Sequence, residues 1–509
     1  MSGAADRAPV IVGVGQVNDR PADDAAGLDS FQLMLAALRR AAADATANGG
    51  GGGWLDRADS LAVVRQIAFP GLGDLSAGLA GALGLTPRFL HQTPQPTGES
   101  PVRLLNEAAN RIAAGEAEIA LIVGGEALRT AARRAAAAAA GGPPPDAMAD
   151  LAGRGPPSPR KRYGLVAPVD VYPLYENACR AAWGQSFAEA RSETGEIWAR
   201  LAAVAAENEH AWLQRGASAE EVVAPSSANR PIAWPYLKLM VANAGVNQAA
   251  AVIVTSAARA RAAGMAEDRL VFVGPGAAAH EADEPLDRPD FARSAGMEVS
   301  LRRALQLNGL TTADLDLVEL YSCFPCVPKM ARRVIGWPAE RPASVFGGLT
   351  FGGGPIGNYM THAIASMTDA LRVGKGRRGL LFANGGYATH NHSLVLRRDP
   401  PTPGAFPQDF DCQREAEALR GPAPPFRDDY AGPGTVETCT VLFDRAGAPR
   451  FGAVVGRSPA GERFLARVPA SDEAGLAMLM DEAREPVGTP GVAERADGLT
   501  LWRTTPPPT

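Results

Sequence analysis

The sequence predicts an α/β fold in which one βαβαβαββ unit occurs twice. Its strands are short apolar runs without alternation, as expected for strands covered on both faces, and helices with well-marked ends separate them. Residues 115–127, GEAEIALIVGGEA, also resemble residues 376–388, GRRGLLFANGGYA. Similar strand-and-glycine segments in the two halves of the chain indicate an internal duplication.

Length and composition limit the alternatives. The 509 residues exceed a single core and predict two or three domains. A formal net charge of −5 argues against a nucleic-acid-binding protein. No apolar run approaches the ~20 residues of a membrane span, and the start, MSGAADRAPV, lacks the pattern of a signal peptide. Five cysteines in so long a chain indicate free thiols and a cytoplasmic location.

The first half alternates strands and helices. The predicted elements are strands at Pro9–Val17, Ser60–Val64, near Phe89 and at Glu118–Gly125, and helices at Asp29–Ala45, Leu75–Leu83 and Ser100–Gly115. The last helix has the clearest ends, because Ser100 suits the N-cap, Pro101 the first turn and Gly115 the C-terminal stop.

A long excursion separates the halves. Residues 131–160 are low in complexity, with an alanine run followed by PPP and GPPSPRKR, and predict a mobile segment. A helical insertion follows from Val169 to about Ala224, and a core strand resumes at Gln248–Ser256.

The second half repeats the pattern. We predict strands at Leu270–Gly274, Leu315–Leu320, Gly379–Gly386 and Ser393–Arg397, and helices at Ser294–Leu307 and Asn358–Val373. A glycine-dense loop, Gly347–Gly357, precedes the second helix.

A small β-rich domain, barrel-like or α+β, ends the chain. Its predicted elements are strands at Gly434–Asp444, Arg450–Gly456, Glu462–Val468 and near Leu499–Trp502, and a helix at Glu473–Ala483. The predicted domains are residues 1–125 with 245–268, the insertion 126–244, residues 269–399, a Pro-rich linker 400–430, and residues 431–509.

Reactive side chains follow the strand in DLDLVELYSCFPCVPK, residues 314–329. Tyr321, Ser322, Cys323 and Cys326 fall at its carboxyl end, where open α/β folds carry their reactive groups. On these residues alone, the cluster is a catalytic site, a CxxC redox pair or packing. No second ligand pair with suitable spacing accompanies it, so no metal site is predicted.

Several motifs resemble the thiolase superfamily, in the family's order. They are EAANRIAAGEAEIALIVGGEALRT, VANAGVNQAAAVIVTSAARARAAG, VELYSCFP, FGGGPIGN and FANGGYA, within Pro9–Arg397. The segment VETCTVLFDRAGAPRFGAVVGRSPAGERFLARV looks like the additional C-terminal domain of thiolase-like proteins of type 1. The resemblance implies the five-layer αβαβα thiolase fold and coenzyme A or its thioesters as substrate or ligand, with no permanently bound cofactor.

The sequence departs from thiolases at three positions of the family's catalytic set. Gly98 stands where thiolases have the nucleophilic cysteine, Gly354 where they have a histidine, and Asn384 at or beside their second cysteine. Only Cys323 has a counterpart, in the family's HDCF-like motif. The resemblance therefore implies that ordinary thiolysis is impossible here.

A remodelled centre is the resulting hypothesis. Cys323 is its predicted nucleophile or acid/base, with Tyr321 and Asn384 beside it. His362 shares a predicted helix face with Tyr359 and could supply the proton transfer that Gly354 cannot; packing against the sheet is its alternative. Glu99 is either a base or a helix cap. The residues expected to bind coenzyme A are Gly98, Ser100, Lys238, Asn243, Gly353, Gly354, Pro355, Tyr359, Gly385 and Gly386.

Three functions compete. The first is an acyltransferase-type enzyme acting on acyl-coenzyme A, and the second is a non-catalytic acyl-coenzyme A binder or partner subunit. The third is a CxxC thiol oxidoreductase. Thiolases are usually dimers, but the insertion or the extra domain could block the dimer face, so a monomer or a homodimer is expected.

Overall fold

A computed structural model describes residues 6–49, 51, 53–138 and 158–504. Its strands are β1 (Pro9–Asn18), β2 (Ser60–Val63), β3 (Phe89–Gln92), β4 (Ile119–Ala127), β5 (Pro231–Ala233), β6 (Tyr236–Leu237), β7 (Asn247–Ser256), β8 (Val271–His280), β9 (Leu317–Glu319), β10 (Arg378–Gly385), β11 (His390–Arg397), β12 (Gly432–Phe443), β13 (Pro449–Arg457), β14 (Arg463–Pro469), β15 (Pro490–Ala496) and β16 (Leu499–Thr504).

The α-helices lie between these strands. They are α1 (Ser30–Ala47), α2 (Leu75–Ala82), α3 (Ser100–Ala114), α4 (Leu128–Ala138), α5 (Pro159–Arg162), α6 (Pro168–Ala182), α7 (Phe187–Glu207), α8 (Ala219–Val223), α9 (Ala257–Ala262), α10 (Ala295–Leu307), α11 (Cys326–Ile335), α12 (Tyr359–Arg372), α13 (Gln413–Leu419) and α14 (Glu473–Leu479).

The two halves have matching sheets. The strand order is β3-β2-β4-β7-β1 in the first half and β8-β11-β10-β9 in the second. In each half the first strand pairs antiparallel with the last, as β1 does with β7 and β8 with β11. The sheets meet where Val10 and Ile11 pair with Phe272 and Val271. The predicted duplication and the thiolase fold class are confirmed.

Helices α3 and α12 form the central layer. They pack against each other and against strands of both halves, while α1 covers the outside of the first sheet and α10 the outside of the second. Because both sides of the central layer are covered by sheet, side chains all around α12 are buried, from Tyr359 to Thr368. This layer brings the N-terminal end of α3 to the strand ends that carry the candidate residues.

The C-terminal domain is a closed barrel of β12, β13, β14, β16 and β15, as its predicted class requires. Strand β5 of the insertion joins it through the pair Leu442 and Ala233. Helix α6 of the insertion packs on β12, where Asn177 Nδ2 donates to Cys439 O at 2.9 Å and Thr438 Oγ1 donates to Leu174 O at 2.6 Å. The barrel thus packs against the insertion through β12.

Four local predictions were wrong. Residues 131–138 belong to helix α4, and the remainder of the predicted mobile segment to residue 157 lies outside the described residues. Strand β15 was not predicted, because its sequence, PGVAERA, has no run of large apolar residues and only Gly491 and Ala493 are buried. The predicted helix at 473–483 ends at Leu479. At α3, Glu99 and not Ser100 occupies the N-cap, without a side-chain capping bond.

Candidate functional site

The candidate site lies where α3 begins and β9 and β10 end. Gly98 directly precedes the N-cap of α3, and a Cβ atom built on it would overlap the hydroxyl oxygen of Tyr321 and the carbonyl oxygen of Asn384. The phenol of Tyr321 therefore fills the space that a side chain at position 98 would need. The structure brings together three residues that the sequence predicted for one site.

Cys323 lies in a tight turn after β9. Tyr321 has a φ of 50°, in the left-handed region, and its carbonyl accepts a hydrogen bond from the Cys323 N–H at 2.9 Å. Cys323 O in turn accepts from Ala242 N at 3.1 Å. A left-handed tyrosine costs free energy, and the contacts on both sides of the turn hold it in place.

Tyr172, which the sequence analysis missed, reaches this turn from helix α6. Its hydroxyl donates to Asn384 Oδ1 at 2.9 Å and accepts from Ala388 N at 2.8 Å. Its ring stacks on Phe324 at 4.3 Å between centroids. Nothing local in the insertion marks Tyr172, because its role depends on a contact between distant parts of the chain.

Burial controls the two thiols of the CxxC. It raises the pKa of Cys323 to about 12, although the nearby Tyr172 hydroxyl acts in the opposite direction. Burial also raises the pKa of Cys326 well above its usual value, and the nearby Glu176 adds to the shift. Both thiols are therefore neutral at physiological pH, and a thiolate nucleophile does not form without a change in their surroundings.

Glu319 connects the Cys323 turn to the glycine-rich loop. Its carboxylate accepts from Tyr321 N at 3.3 Å, from Ser344 Oγ at 2.6 Å and from Tyr359 Oη at 3.0 Å. Ser344 Oγ in turn accepts from the N–H groups of Gly347 and Gly348 at 2.9 and 3.0 Å. Burial raises the pKa of Glu319 to about 7.

The glycine-rich loop lies beside the same turn. Gly354 N donates to Asn243 O at 2.8 Å, while Ala242, the residue before Asn243, contacts Cys323 O. Gly353 has a φ of 105°, and a Cβ atom there would overlap Gln248 Oε1. Gly353, Gly354 and Asn243 thus lie next to the candidate centre, with Pro355 buried behind them.

Gly385 and Gly386 continue from Asn384 at the end of β10. Gly385 is buried beside Gly98, because a Cβ atom on it would lie 3.0 Å from Gly98 N. Gly386 is exposed, and its carbonyl lies 3.3 Å from the Tyr172 hydroxyl. Both glycines therefore border the site, and their contact with coenzyme A stays a prediction.

His362 and Tyr359 do not share a free face of α12. The Nδ1 atom of His362 lies 2.8 Å from Gln16 Oε1, and its ring stacks on Phe346 at 5.0 Å. Burial lowers the pKa of His362 to about 3, so the ring is neutral. These contacts agree with a packed histidine. Tyr359 does join the site, because it donates to Glu319 and meets the Tyr321 ring edge-on at 5.7 Å.

Ser100 and Lys238 have no described contact with Cys323. The hydroxyl of Ser100 is 2.9 Å from Thr97 Oγ1, and Lys238 is exposed on the insertion. Within the residues that the structure describes, no group of three or more His, Cys, Asp and Glu side chains is arranged to hold a metal ion. No helix in this part of the chain has the length and apolar character to cross a membrane.

Comparisons place the two parts of the chain beside known proteins. Residues 415–498 match a family described as the thiolase-like protein type 1 additional C-terminal domain. The whole chain is similar to a monomeric SCP2-thiolase like protein type 1 from Mycobacterium smegmatis, with 29% identity, a TM-score of 0.81 and coverage of 98% of this chain and 99% of that one. Comparison with curated protein sequences found no match.

More distant structures share the fold. The Ltp2-ChsH2(DUF35) aldolase has 19% identity and a TM-score of 0.58, over 77% of this chain and 98% of that one. Human mitochondrial 3-ketoacyl-CoA thiolase has 14% identity and a TM-score of 0.57, over 77% of this chain and 99% of that one. One fold thus carries proteins that are named for different activities, so function must be argued from the site.

Proposed function

This chain is a thiolase-like protein of type 1, and we propose that it binds acyl-coenzyme A thioesters at a centre that does not perform thiolysis. The proposal rests mainly on the Tyr321 hydroxyl, which occupies the space that a nucleophile at position 98 would need. The neutral, buried Cys323 thiol supports the same view, because acyl transfer to sulfur requires a thiolate.

The thioester end would lie among Tyr321, Tyr172 and Asn384. Their hydroxyl and amide groups are the hydrogen-bonding partners that a thioester carbonyl requires, and the adjacent Gly353 and Gly354 allow close approach of the ligand to backbone. We place this activity in the cytoplasm on the strength of five free, buried cysteines. A monomer is proposed by analogy with the Mycobacterium smegmatis protein, which light scattering would test.

Calorimetry with coenzyme A, acetyl-coenzyme A and butyryl-coenzyme A tests the proposal. Binding is expected, with no release of free coenzyme A and no acyl transfer when the reaction is followed by chromatography. Cys323→Ala should bind equally well. Turnover by thiolysis in the wild-type chain, or the absence of binding to all three compounds, would overturn the proposal.

An acyltransferase that uses Cys323 is the second candidate. The observation in its favour is the nearby Tyr172 hydroxyl, which opposes the rise in the pKa of Cys323 and would stabilise a thiolate if it turned its proton from Asn384 to Cys323 on ligand binding. Transfer or hydrolysis that Cys323→Ala abolishes would support this function. Equal turnover in wild type and variant would exclude it.

A further inference from the structure

Glu99 is a buried carboxylate whose placement the fold does not explain. It occupies the N-cap of α3, yet its side chain caps no backbone N–H. Only 9% of the residue is exposed, and its Oε2 atom has no hydrogen-bond partner among the described residues. Burying an unpaired carboxylate oxygen costs free energy, so a stable protein normally provides a partner.

The carboxylate points towards the candidate centre. A Cβ atom built on Gly385 would lie 2.7 Å from Glu99 Oε2 and 3.0 Å from Gly98 N. The absence of a side chain at Gly385 therefore leaves the room that the carboxylate occupies. Glu99 thus lies beside the contact between Gly98 and Gly385, where the end of β10 meets the start of α3.

Tyr321 also lies beside Gly98. Its hydroxyl fills the side-chain space of Gly98. Burial raises the pKa of Tyr321 well above its usual value, and the charges of Cys323 and Glu99 add to the shift. A phenol hydroxyl and an unpaired carboxylate oxygen therefore border Gly98.

We propose that Glu99 is a catalytic base that removes a proton from the α-carbon of a bound acyl-coenzyme A thioester, with Tyr321 as the hydrogen-bond donor to the thioester oxygen. This proposal rests on the proposed binding of acyl-coenzyme A. The proton passes from the α-carbon to the carboxylate, and the electron pair of the C–H bond moves into the thioester to give an enolate. Return of the proton from the Glu99 carboxylic acid restores the thioester, so no co-reactant or thiol is required.

The position suits this chemistry. The N-terminal end of the dipole of α3, a helix of 15 residues, stabilises the negative charge of an enolate beside it. The Tyr321 hydroxyl would stabilise the enolate oxygen in a site from which water is largely excluded. A carboxylate and a phenol thus replace the missing thiol at the same end of the helix.

Hydrogen–deuterium exchange tests the proposal. The full chain is incubated in deuterated buffer with acetyl-coenzyme A or butyryl-coenzyme A, and deuterium at the α-carbon is measured by mass spectrometry. Exchange should exceed that of buffer alone. Glu99→Gln should lower the rate by at least about 100-fold, the contribution typical of a general base. Tyr321→Phe should lower it by about 100-fold, as loss of one oxyanion donor does.

Matched measurements separate the possible outcomes. Glu107→Gln, on the same helix and paired with Arg111 at 3.5 Å, should leave exchange unchanged. Calorimetry should show unchanged binding in Glu99→Gln, and its melting temperature should match that of the wild type. Binding without exchange in the wild type, or equal exchange in Glu99→Gln, overturns this inference but leaves the proposed binding intact. Absence of binding overturns both.

Discussion

Each half of the fold has a glycine pair near the end of a core strand, but the carboxylate beside the pair has different surroundings in the two halves. In the first half, Gly124 and Gly125 are followed by Glu126, whose two oxygens accept from Ile67 N at 2.8 Å and Ala68 N at 3.0 Å. Asn358 fills the space above Gly124 and donates to its carbonyl at 2.7 Å. Every polar group named at this end has a partner.

The corresponding end of the second half is incomplete. Gly385 faces Glu99, whose Oε2 has no partner in the described structure, and Ser322 Oγ nearby is also unpaired. The duplication gave the two halves equivalent strand ends. At the first end the carboxylate is fully hydrogen-bonded, whereas at the second end it is not. Unpaired polar groups at the other end mark it as the place for a ligand, which would supply the missing partners.

The largest expected change in stability comes from adding a side chain at Gly98, beside the glycine pair of the second half. Gly98→Ala places a methyl group against the Tyr321 hydroxyl and the backbone carbonyl of Asn384, which cannot move away. Such overpacking should lower the free energy of unfolding by about 3 kcal/mol. Denaturant unfolding measures the change.

A matched glycine provides the control for this variant. Gly81 lies in the exposed part of α2 with no atom near its Cβ position. Gly81→Ala should therefore stabilise the chain by about 0.5–1 kcal/mol. If Gly98→Ala were as stable as Gly81→Ala, Tyr321 would not be fixed in the space that we describe.

A second test measures how the buried carboxyl of Glu319 makes stability depend on pH. Burial raises the pKa of Glu319 from 4.5 to about 7, so the folded state keeps a proton that the unfolded state releases. Its contribution to stability is complete below pH 4.5 and is lost as the pH rises to about 7. The loss amounts to about 3 kcal/mol. Glu319→Gln should remove this part of the slope.

Unfolding of both proteins between pH 4 and 8 measures that difference. Glu126 and the buried histidines titrate in wild type and variant alike, so subtracting the two curves isolates Glu319. Parallel curves would show that Glu319 is charged in the folded chain at neutral pH.

The third test compares the two carboxylates directly. Glu126→Gln turns an amide N–H towards a backbone N–H and should cost about 2 kcal/mol. Glu99→Gln disrupts no bond made by Oε2 and should change stability by less than about 0.5 kcal/mol. Thermal unfolding ranks the two variants. A larger loss in Glu99→Gln would reverse the comparison between the two ends.

The smallest effect concerns reactivity and not stability. All five cysteines are buried, and burial raises the pKa of Cys323 to about 12. A thiol reagent at pH 8 should label none of them rapidly in the native chain, and all five after denaturation. Rapid labelling of Cys323 alone would instead favour the acyltransferase candidate.

Much of the fold followed from the sequence because strands covered on both faces are apolar throughout. Val10, Ile11 and Val12 show this in β1, as do Leu380 and Leu381 in β10. The position of a helix among the layers of the fold could not be predicted from such apolar runs. For His362 the sequence left a proton-transfer role and packing against the sheet open, and α12 lies between two sheets, where the side chain is buried.

The site was predicted in part. Gly98, Tyr321, Cys323 and Asn384 carry family motifs, so their meeting in space was expected. Tyr172 was not, since its approach depends on how the insertion folds back over the core. Lys238 and Ser100 were expected in a coenzyme A site, and their place in one stays a prediction.

The docking of the barrel on helix α6 has a consequence for protein synthesis. The residues that join in the bond from Asn177 to Cys439 are separated by 262 positions. A ribosome adding 5–20 residues per second needs roughly 10–50 seconds to bridge that interval. During this time the nascent chain carries α6, and with it Tyr172, without the strand that packs against it. A chain that stops before residue 432 therefore presents helix α6 to chaperones and proteases without the strand that packs on it.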